Sequence, residues 1–311
     1  MRFIAATLTL CTLIFTIAPA AGALTSPFSQ KQPVPGHKPA PIPRDARHVK
    51  RPYASQLNPS RPLRTPVTPA PQPNCAAVCV IDPYNGNILY GYNANTRRQV
   101  ASTQKIITAL CVCDTGNLDK MVTIKASDRL APPIRLNLRA GEQYTRRELL
   151  QAMLTGSYND VAVSLARDCA GSVEAFVARM NARAKRMRMH NTHFENPNGL
   201  PAQQYSTAYD MALAACYAYN NRTIRSMINI PAYEFRRNNG SVRMIRSTNR
   251  LLTSHPWVQG MKTGYTNLAG KCLISCASSN GRAVIVVVLG STSRKIWGES
   301  LKYLRWALNQ T

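Results

Sequence analysis

Acidic residues are scarce in this sequence. Fourteen Asp and Glu stand against 39 Lys and Arg, a formal net charge of +25 over 311 residues. Such an excess suits an anionic partner, and nucleic acid is the first to weigh. No helix-turn-helix, zinc or RNA-binding signature accompanies the charge, and the N-terminus reads as an export segment, so no nucleic acid is expected. An exported basic chain meets anionic envelope polymers or lipid head groups instead, and simple solubility accounts for the charge equally well. The sequence also lacks a CxxC pair, and no histidine lies near a cysteine, which removes the usual spacing of a zinc site. No metal and no cofactor is expected. Past the N-terminus there is no apolar run of spanning length.

What is present begins with "MRFIAATLTLCTLIFTIAPAAGA": an early Arg2, an apolar run, then small residues. This is the layout of a secretory signal peptide over residues 1–23, with cleavage after Ala20 or Ala23 fitting equally well. Residues 24–74 are crowded with proline, lysine and arginine and have little apolar periodicity. That composition favours an extended, disordered tether, because it cannot bury enough surface to offset its chain entropy. The folded part is expected at 75–311, soluble, in the periplasm or cell envelope. Eight cysteines remain once Cys11 leaves with the signal: Cys75, Cys79, Cys111, Cys113, Cys169, Cys216, Cys272 and Cys276. An oxidising compartment permits disulfides, while several of these residues sit in apolar runs where a thiol acts as a small hydrophobe. Both readings stay open.

The periodicity of the folded part runs strands, helices, strands, helix. "AVCVIDPYNGNILYGY" alternates around Asp82-Pro83-Tyr84-Asn85-Gly86, which predicts a hairpin. A helix is predicted over Ser102–Cys113, with Ile106, Ile107, Leu110 and Cys111 as its apolar stripe. Thr145 and Glu148 form a capping box ahead of the next helix, which stops near Gly156. Asp160 is expected to cap the helix that follows. Three strand-like runs close the chain, "WVQGMKTGYT", "KCLISCASS" and "RAVIVVVLG", with Asn280-Gly281 as a hairpin turn. A terminal helix then carries Trp297 and Trp306, expected to pack on the sheet. The order predicts an α/β (α+β) fold: a five-stranded, mainly antiparallel sheet covered by helices on both faces.

Three polar motifs lie at the edges of apolar elements. Ser102 and Lys105 are three residues apart, so in a helix they share a face. A serine needs a base to become a nucleophile, and a desolvated lysine can serve. Alone, the pair reads first as an ordinary helix start, with Ser102 as N-cap and Lys105 as a solvated charge. The second motif is Ser157-Tyr158-Asn159, and the third is Lys262-Thr263-Gly264. Together they resemble the Ser-x-x-Lys, Ser-x-Asn and Lys-Thr-Gly signature of serine penicillin-binding proteins and β-lactamases. "NTHFENPNGL", "YSTAYDMALAA" and "GMKTGYTNLAGKCLISCAS" narrow the resemblance to the low-molecular-mass D-alanyl-D-alanine carboxypeptidase family, over about residues 75–308.

The resemblance implies a β-lactamase/transpeptidase-like fold and a serine D,D-carboxypeptidase acting on peptidoglycan stem peptides, with β-lactam antibiotics as inhibitors. Ser102 would attack the peptide carbonyl and Lys105 would take its proton. Ser157 would relay a proton to the leaving amine, and Asn159 would hold Lys105 and the substrate. Lys262 and Thr263 would bind the terminal carboxylate, Gly264 would admit substrate close to the strand, and the backbone N–H groups of Ser102 and Tyr265 would form the oxyanion hole. Of the two lysines, Lys105 is expected to be dry and Lys262, on an edge strand, to keep access to water and its charge. Two positions depart from the family pattern. Tyr158 stands where the second motif usually has glycine, and Trp297 falls where an arginine often follows the last strand, with Arg294 nearest. A D,D-endopeptidase uses the same machinery. A class A β-lactamase needs a further glutamate, for which Glu195 is the candidate. A non-enzymatic peptidoglycan-binding protein is the third alternative, and the basic tether is expected to serve localisation.

Overall fold

The computed structural model describes residues 66 and 68–309. The expected signal peptide and most of the expected tether therefore lie outside the described residues.

The strands that form the sheet are the ones whose side chains alternate between two apolar environments. In β1 (Ala77–Ile81) every residue is buried. Ala77, Cys79 and Ile81 enter one core, and Val78 and Val80 the other. Strand β9 (Arg282–Ser291) divides in the same way, with Ile285, Val287 and Leu289 on one side and Val284, Val286 and Val288 on the other. A strand covered on both faces has no polar side, and this explains the unbroken run "AVIVVVL". Around these two lie β2 (Ile88–Tyr92), β8 (Gly270–Ser279) and β7 (Val258–Thr266), in the order β2-β1-β9-β8-β7. Every neighbouring pair is antiparallel. The expected five-stranded sheet is thus observed, with β7 at an edge.

Helices cover both faces. The larger layer holds α1 (Lys105–Thr115), α2 (Arg146–Gly156), α3 (Asn159–Ala170), α4 (Val173–Arg186), α5 (Ala208–Asn220) and α6 (Arg222–Ile228). Helix α1 is buried from Lys105 through Val112, because α2, α3, α4 and α5 all pack against it. On the other face, α8 (Ile296–Leu308) presses Tyr303, Leu304, Ala307 and Leu308 onto the second core. Trp297 and Trp306 pack on that core as expected. The Thr145–Glu148 capping box at the start of α2 is also present. Asp160 does not cap α3. It sits in the first turn, where its carboxylate accepts from the backbone N–H groups of Leu136 and Asn137 at 3.0 and 2.9 Å.

Two small ribbons escape the sequence reading: β3 (Met121–Thr123) with β4 (Gln143–Thr145), and β5 (Ala232–Arg236) with β6 (Val242–Arg246). The first is too short for a period-2 signal. The second interleaves its apolar residues with Arg236, Arg243 and Arg246 and buries only Phe235 and Ile245. A short helical turn, α7 (Leu251–Ser254), leads from there towards β7.

The tether boundary also moves. Thr68, Pro71 and Asn74 run along α8. The Thr68 carbonyl accepts from Trp306 Nε1 and the Pro71 carbonyl from Tyr303 Oη, both at 2.9 Å. The Asn74 N–H donates to Glu299 Oε1 at 2.6 Å. The packed body therefore includes residues 68–74, which composition assigns to the tether. The eight cysteines of the described residues are free thiols.

Candidate active site

Ser102 lies in a 3-10 turn, Ala101–Gln104, just ahead of α1 rather than inside it. Ala101 takes the left-handed conformation, φ 49°, which is unusual for a residue with a Cβ. The turn is held on two sides by glycines. A Cβ on Gly199 would lie 2.3 Å from the Ala101 carbonyl oxygen, and a Cβ on Gly264 would lie 2.9 Å from the Ser102 nitrogen. The third motif's glycine therefore has a reason beside the expected one. It lets β7 approach the serine turn itself.

Lys105 is fully buried, with its Nζ 2.8 Å from Ser102 Oγ. The same amine donates to Asn159 Oδ1 at 2.7 Å and to the Asn198 carbonyl. These three neighbours satisfy the amine in either protonation state. As an ammonium it has three N–H groups for three acceptors. As a neutral amine it spends two N–H groups on the two carbonyl oxygens, which can only accept, and its lone pair faces the Ser102 hydroxyl. Burial, and then the charge of Lys262, hold Lys105 well below its ordinary pKa of 10.5, with Asp160 opposing.

Lys262, on β7, has its Nζ 2.7 Å from Ser157 Oγ and 2.9 Å from the Thr263 carbonyl. The strand is an edge, as expected, but the side chain is not open to water. Lys262 is 1% exposed. Burial brings its pKa down to about 7. The expectation that Lys262 keeps its water is overturned, because its amine points inward to the α2–α3 junction. Ser157 closes α2 in a left-handed conformation, φ 63°, and Asn159 opens α3 with its N–H donating to the Ile134 carbonyl at 2.7 Å. Ser157 and Asn159 are both buried. Thr263 Oγ1 lies 2.6 Å from Thr248 Oγ1, and Tyr265 is 55% exposed at the rim, its ring 4.0 Å from Lys271 Nζ. The fold thus brings Ser102, Lys105, Ser157, Asn159 and the Lys262–Tyr265 strand to one place.

Several participants were not singled out from the sequence. The Asn198 carbonyl accepts from Ser102 Oγ at 3.2 Å as well as from Lys105. Gln104 Nε2 donates to the Asn196 carbonyl at 2.6 Å and so ties this loop to the serine turn. The Pro197-Asn198-Gly199 turn is the only local signal, and it marks a loop rather than a role. Trp297 is half-buried against the second core with the Arg250 guanidinium 5.8 Å over its ring, while Arg294 is exposed. Glu195 is engaged elsewhere: its Oε2 accepts from the Gln203 N–H at 2.8 Å and its Oε1 lies 3.8 Å from His193. Among the described residues, no group of three His, Cys, Asp or Glu side chains is placed to hold a metal ion.

An antiparallel five-stranded sheet, a serine in contact with a buried lysine at a helix start and a Lys-Thr-Gly edge strand define the class of serine peptidases with the penicillin-binding fold. The chain belongs to the D-alanyl-D-alanine carboxypeptidase family, whose family model matches residues 65–293. The D-alanyl-D-alanine carboxypeptidase DacF of Bacillus subtilis is 34% identical over 238 residues, covering 74% of this chain. This chain spans only 61% of that relative's length. A D-alanyl-D-alanine endopeptidase of Pseudomonas aeruginosa is 33% identical over 73% of this chain and 75% of its own. Among solved structures, a D-alanyl-D-alanine carboxypeptidase of Mycobacterium tuberculosis superposes with a TM-score of 0.74 at 28% identity, covering 80% of this chain and 97% of that one.

Proposed function

We propose that the protein is a serine D,D-carboxypeptidase that removes the terminal D-alanine of peptidoglycan stem peptides through an acyl-enzyme on Ser102. The observation that carries this reading is the contact of a buried, pKa-depressed Lys105 amine with Ser102 Oγ at 2.8 Å. Neutral Lys105 takes the hydroxyl proton as Oγ forms a bond to the carbonyl carbon between the two D-alanines. The carbonyl π electrons move to oxygen. Gly264 lies against the Ser102 nitrogen, which supports placing that oxyanion between the N–H groups of Ser102 and Tyr265. Collapse of the tetrahedral intermediate breaks the C–N bond. The proton that Lys105 accepted passes through Ser157 to the leaving amine, which returns Lys105 to its neutral form, while Lys262 holds Ser157 at 2.7 Å. Water then adds to the ester with Lys105 again as base, releasing the shortened peptide and free Ser102.

Lys262, Thr263 and its neighbour Thr248 are proposed to receive the substrate's terminal carboxylate, and Asn159 to hold Lys105 and the substrate amide. A charged Lys262 suits an anion, and an anion beside it favours that charge in turn. β-Lactams are proposed to acylate the same serine. The signal-like N-terminus supports export to the periplasm or cell envelope, and the basic 24–74 stretch supports a localising role towards anionic polymers. No helix among the described residues is long and apolar enough to cross a membrane.

A D,D-endopeptidase is the second reading, favoured by the similarity to the Pseudomonas endopeptidase. Labelling with a fluorescent penicillin, intact mass and peptide mapping are expected to place one adduct on Ser102. Digestion of isolated muropeptides is expected to release free D-alanine, and loss of cross-linked dimers without D-alanine release would favour the endopeptidase. No label, or label on Ser157, would overturn the proposal.

A further inference from the structure

The backbone of the second motif is strained at Ser157, φ 63°, where L-residues with a Cβ rarely sit. Something must hold it there, since a left-handed residue persists only where its surroundings fix it. The surroundings are visible in the middle residue of the motif. Tyr158 is 8% exposed, and its ring folds back over the end of α2. A Cβ on Gly156 would lie 2.3 Å from Tyr158 Cε2 and 2.6 Å from Cζ. The ring thus occupies space that Gly156 leaves empty. Arg243, from β6, places its guanidinium 5.4 Å from the ring centroid and donates to the Leu136 carbonyl at 3.1 Å. The loop carrying Leu136 in turn accepts from the Asn159 N–H through the Ile134 carbonyl and donates to Asp160.

We infer that Tyr158 is a positioning residue. Its ring, seated between Gly156 and Arg243, fixes the turn that aims Ser157 at Lys262 and Asn159 at Lys105. A side chain in the middle of this motif would then be a peg in a slot, and the slot exists only because residue 156 has no Cβ. Arg243 supplies the lid, through a cation–π contact and a hydrogen bond to the neighbouring loop. The inference rests on the proposed roles of Ser157 and Asn159.

The test is a double-mutant cycle on the full-length protein, reading the second-order rate of Ser102 acylation by penicillin per titrated active site. Tyr158→Phe keeps the ring and is expected to stay within about twofold of wild type. Tyr158→Ala, which empties the slot, is expected to lose about 10- to 100-fold. Gly156→Ala, which fills the slot with a Cβ, is expected to lose a similar factor. The decisive comparison is Gly156→Ala in the Tyr158→Ala background, where the added Cβ meets no ring and is expected to cost less than about twofold. On a soluble acyl-D-Ala-D-Ala peptide the loss is expected in kcat, with KM within about twofold. Thermal unfolding separates misfolding from misplacement. If Gly156→Ala fails to fold alone, refolding in the double variant supports the slot, and failure there too overturns it. Equal costs of Gly156→Ala in both backgrounds, or wild-type acylation by Tyr158→Ala, would likewise overturn the inference. Absence of any adduct on wild-type Ser102 would instead overturn the catalytic reading beneath it.

Discussion

A lysine ammonium taken out of water loses hydration that only close partners can replace, so burial drives it towards the neutral amine. Two lysines are buried at one site here, and their partners differ. Lys105 has three oxygen neighbours, one of them the serine hydroxyl, while Lys262 has Ser157 and its own strand. Of two such groups, the one with the lower pKa is the one found neutral at working pH, and so the one free to accept a proton. Lys105 is further lowered by the charge of Lys262. Lys105→Arg keeps the charge and removes an accessible neutral form, so penicillin acylation is expected to fall by orders of magnitude at any pH up to about 10. Acylation of that variant at the wild-type rate would take lysine out of the base role. Lys262 is proposed to give the pH dependence its alkaline side. Positive below about 7 and neutral above, it would lose the proposed hold on an anionic substrate as pH rises. In the free enzyme kcat/KM is therefore expected to decline above about pH 7, and Lys262→Arg is expected to push that limb beyond about pH 10. An unmoved limb would assign it to another group. The same shift has a cost in stability. Between about 7 and the unfolded value near 10.5 the unfolded chain holds the extra proton, so this contribution to stability rises with pH across that window and is at its poorest below it. Lys262→Met is therefore expected to raise the melting temperature at pH 6 more than at pH 10.

At the scale of elements, the serine turn is clamped between the Pro197-Asn198-Gly199 loop and strand β7. Both clamps act through missing Cβ atoms, and the obstacles are backbone atoms that cannot rotate away. Gly199 also has φ +85°, so a side chain there is strained as well as crowded. Gly199→Ala is expected to be the worse of two variants, costing about 1–3 kcal/mol of stability and most of the acylation rate. Gly264→Ala meets the Ser102 nitrogen at 2.9 Å and is expected to displace the turn less. Denaturant unfolding and penicillin acylation, measured on both, check the ranking. The reverse order would mean that the loop yields more easily than the strand. Helix α1 shows the same dependence on neighbours. Its Lys105–Val112 stretch is buried because four helices surround it, not because of its own pattern.

For the whole molecule, the boundary of the packed body has an energetic consequence. The main chain from Thr68 to Asn74 satisfies Trp306, Tyr303, Lys302 and Glu299 on α8. Each such bond contributes about 0.5–1.5 kcal/mol net. A chain beginning at residue 75 is therefore expected to melt measurably below one beginning at residue 66, with acylation at 25 °C unchanged, since α8 covers the sheet face away from Ser102. Equal melting would return the boundary to Cys75. The longer fragment is expected to lose only the salt-sensitive binding to anionic polymers that the 24–65 stretch is proposed to provide.

Much of this protein is local enough to read from its residues. The alternation of β1 and β9, the capping box at Thr145 and the turn chemistry at Asn280-Gly281 act over a few positions, so the sheet and the helix order are legible. The three polar motifs are legible for the same reason: each fits within a few residues, and their order along the chain survives folding. What the tertiary structure alone decided lies between distant segments. Lys262 is dry because α2 and α3 end over it. Ser102 and Lys105 share a carbonyl from Asn198, about a hundred residues away, and every residue carries a carbonyl, so nothing in the sequence marks that one. Glu195 has the right chemistry for a β-lactamase and a partner, Gln203, that turns it elsewhere. Tyr158 reads as bulk in a motif until Gly156 and Arg243 are seen to give that bulk a place. Residue type sets what a group can do, but hydration and approach depend on what packs against it, and that is settled only when the chain closes on itself.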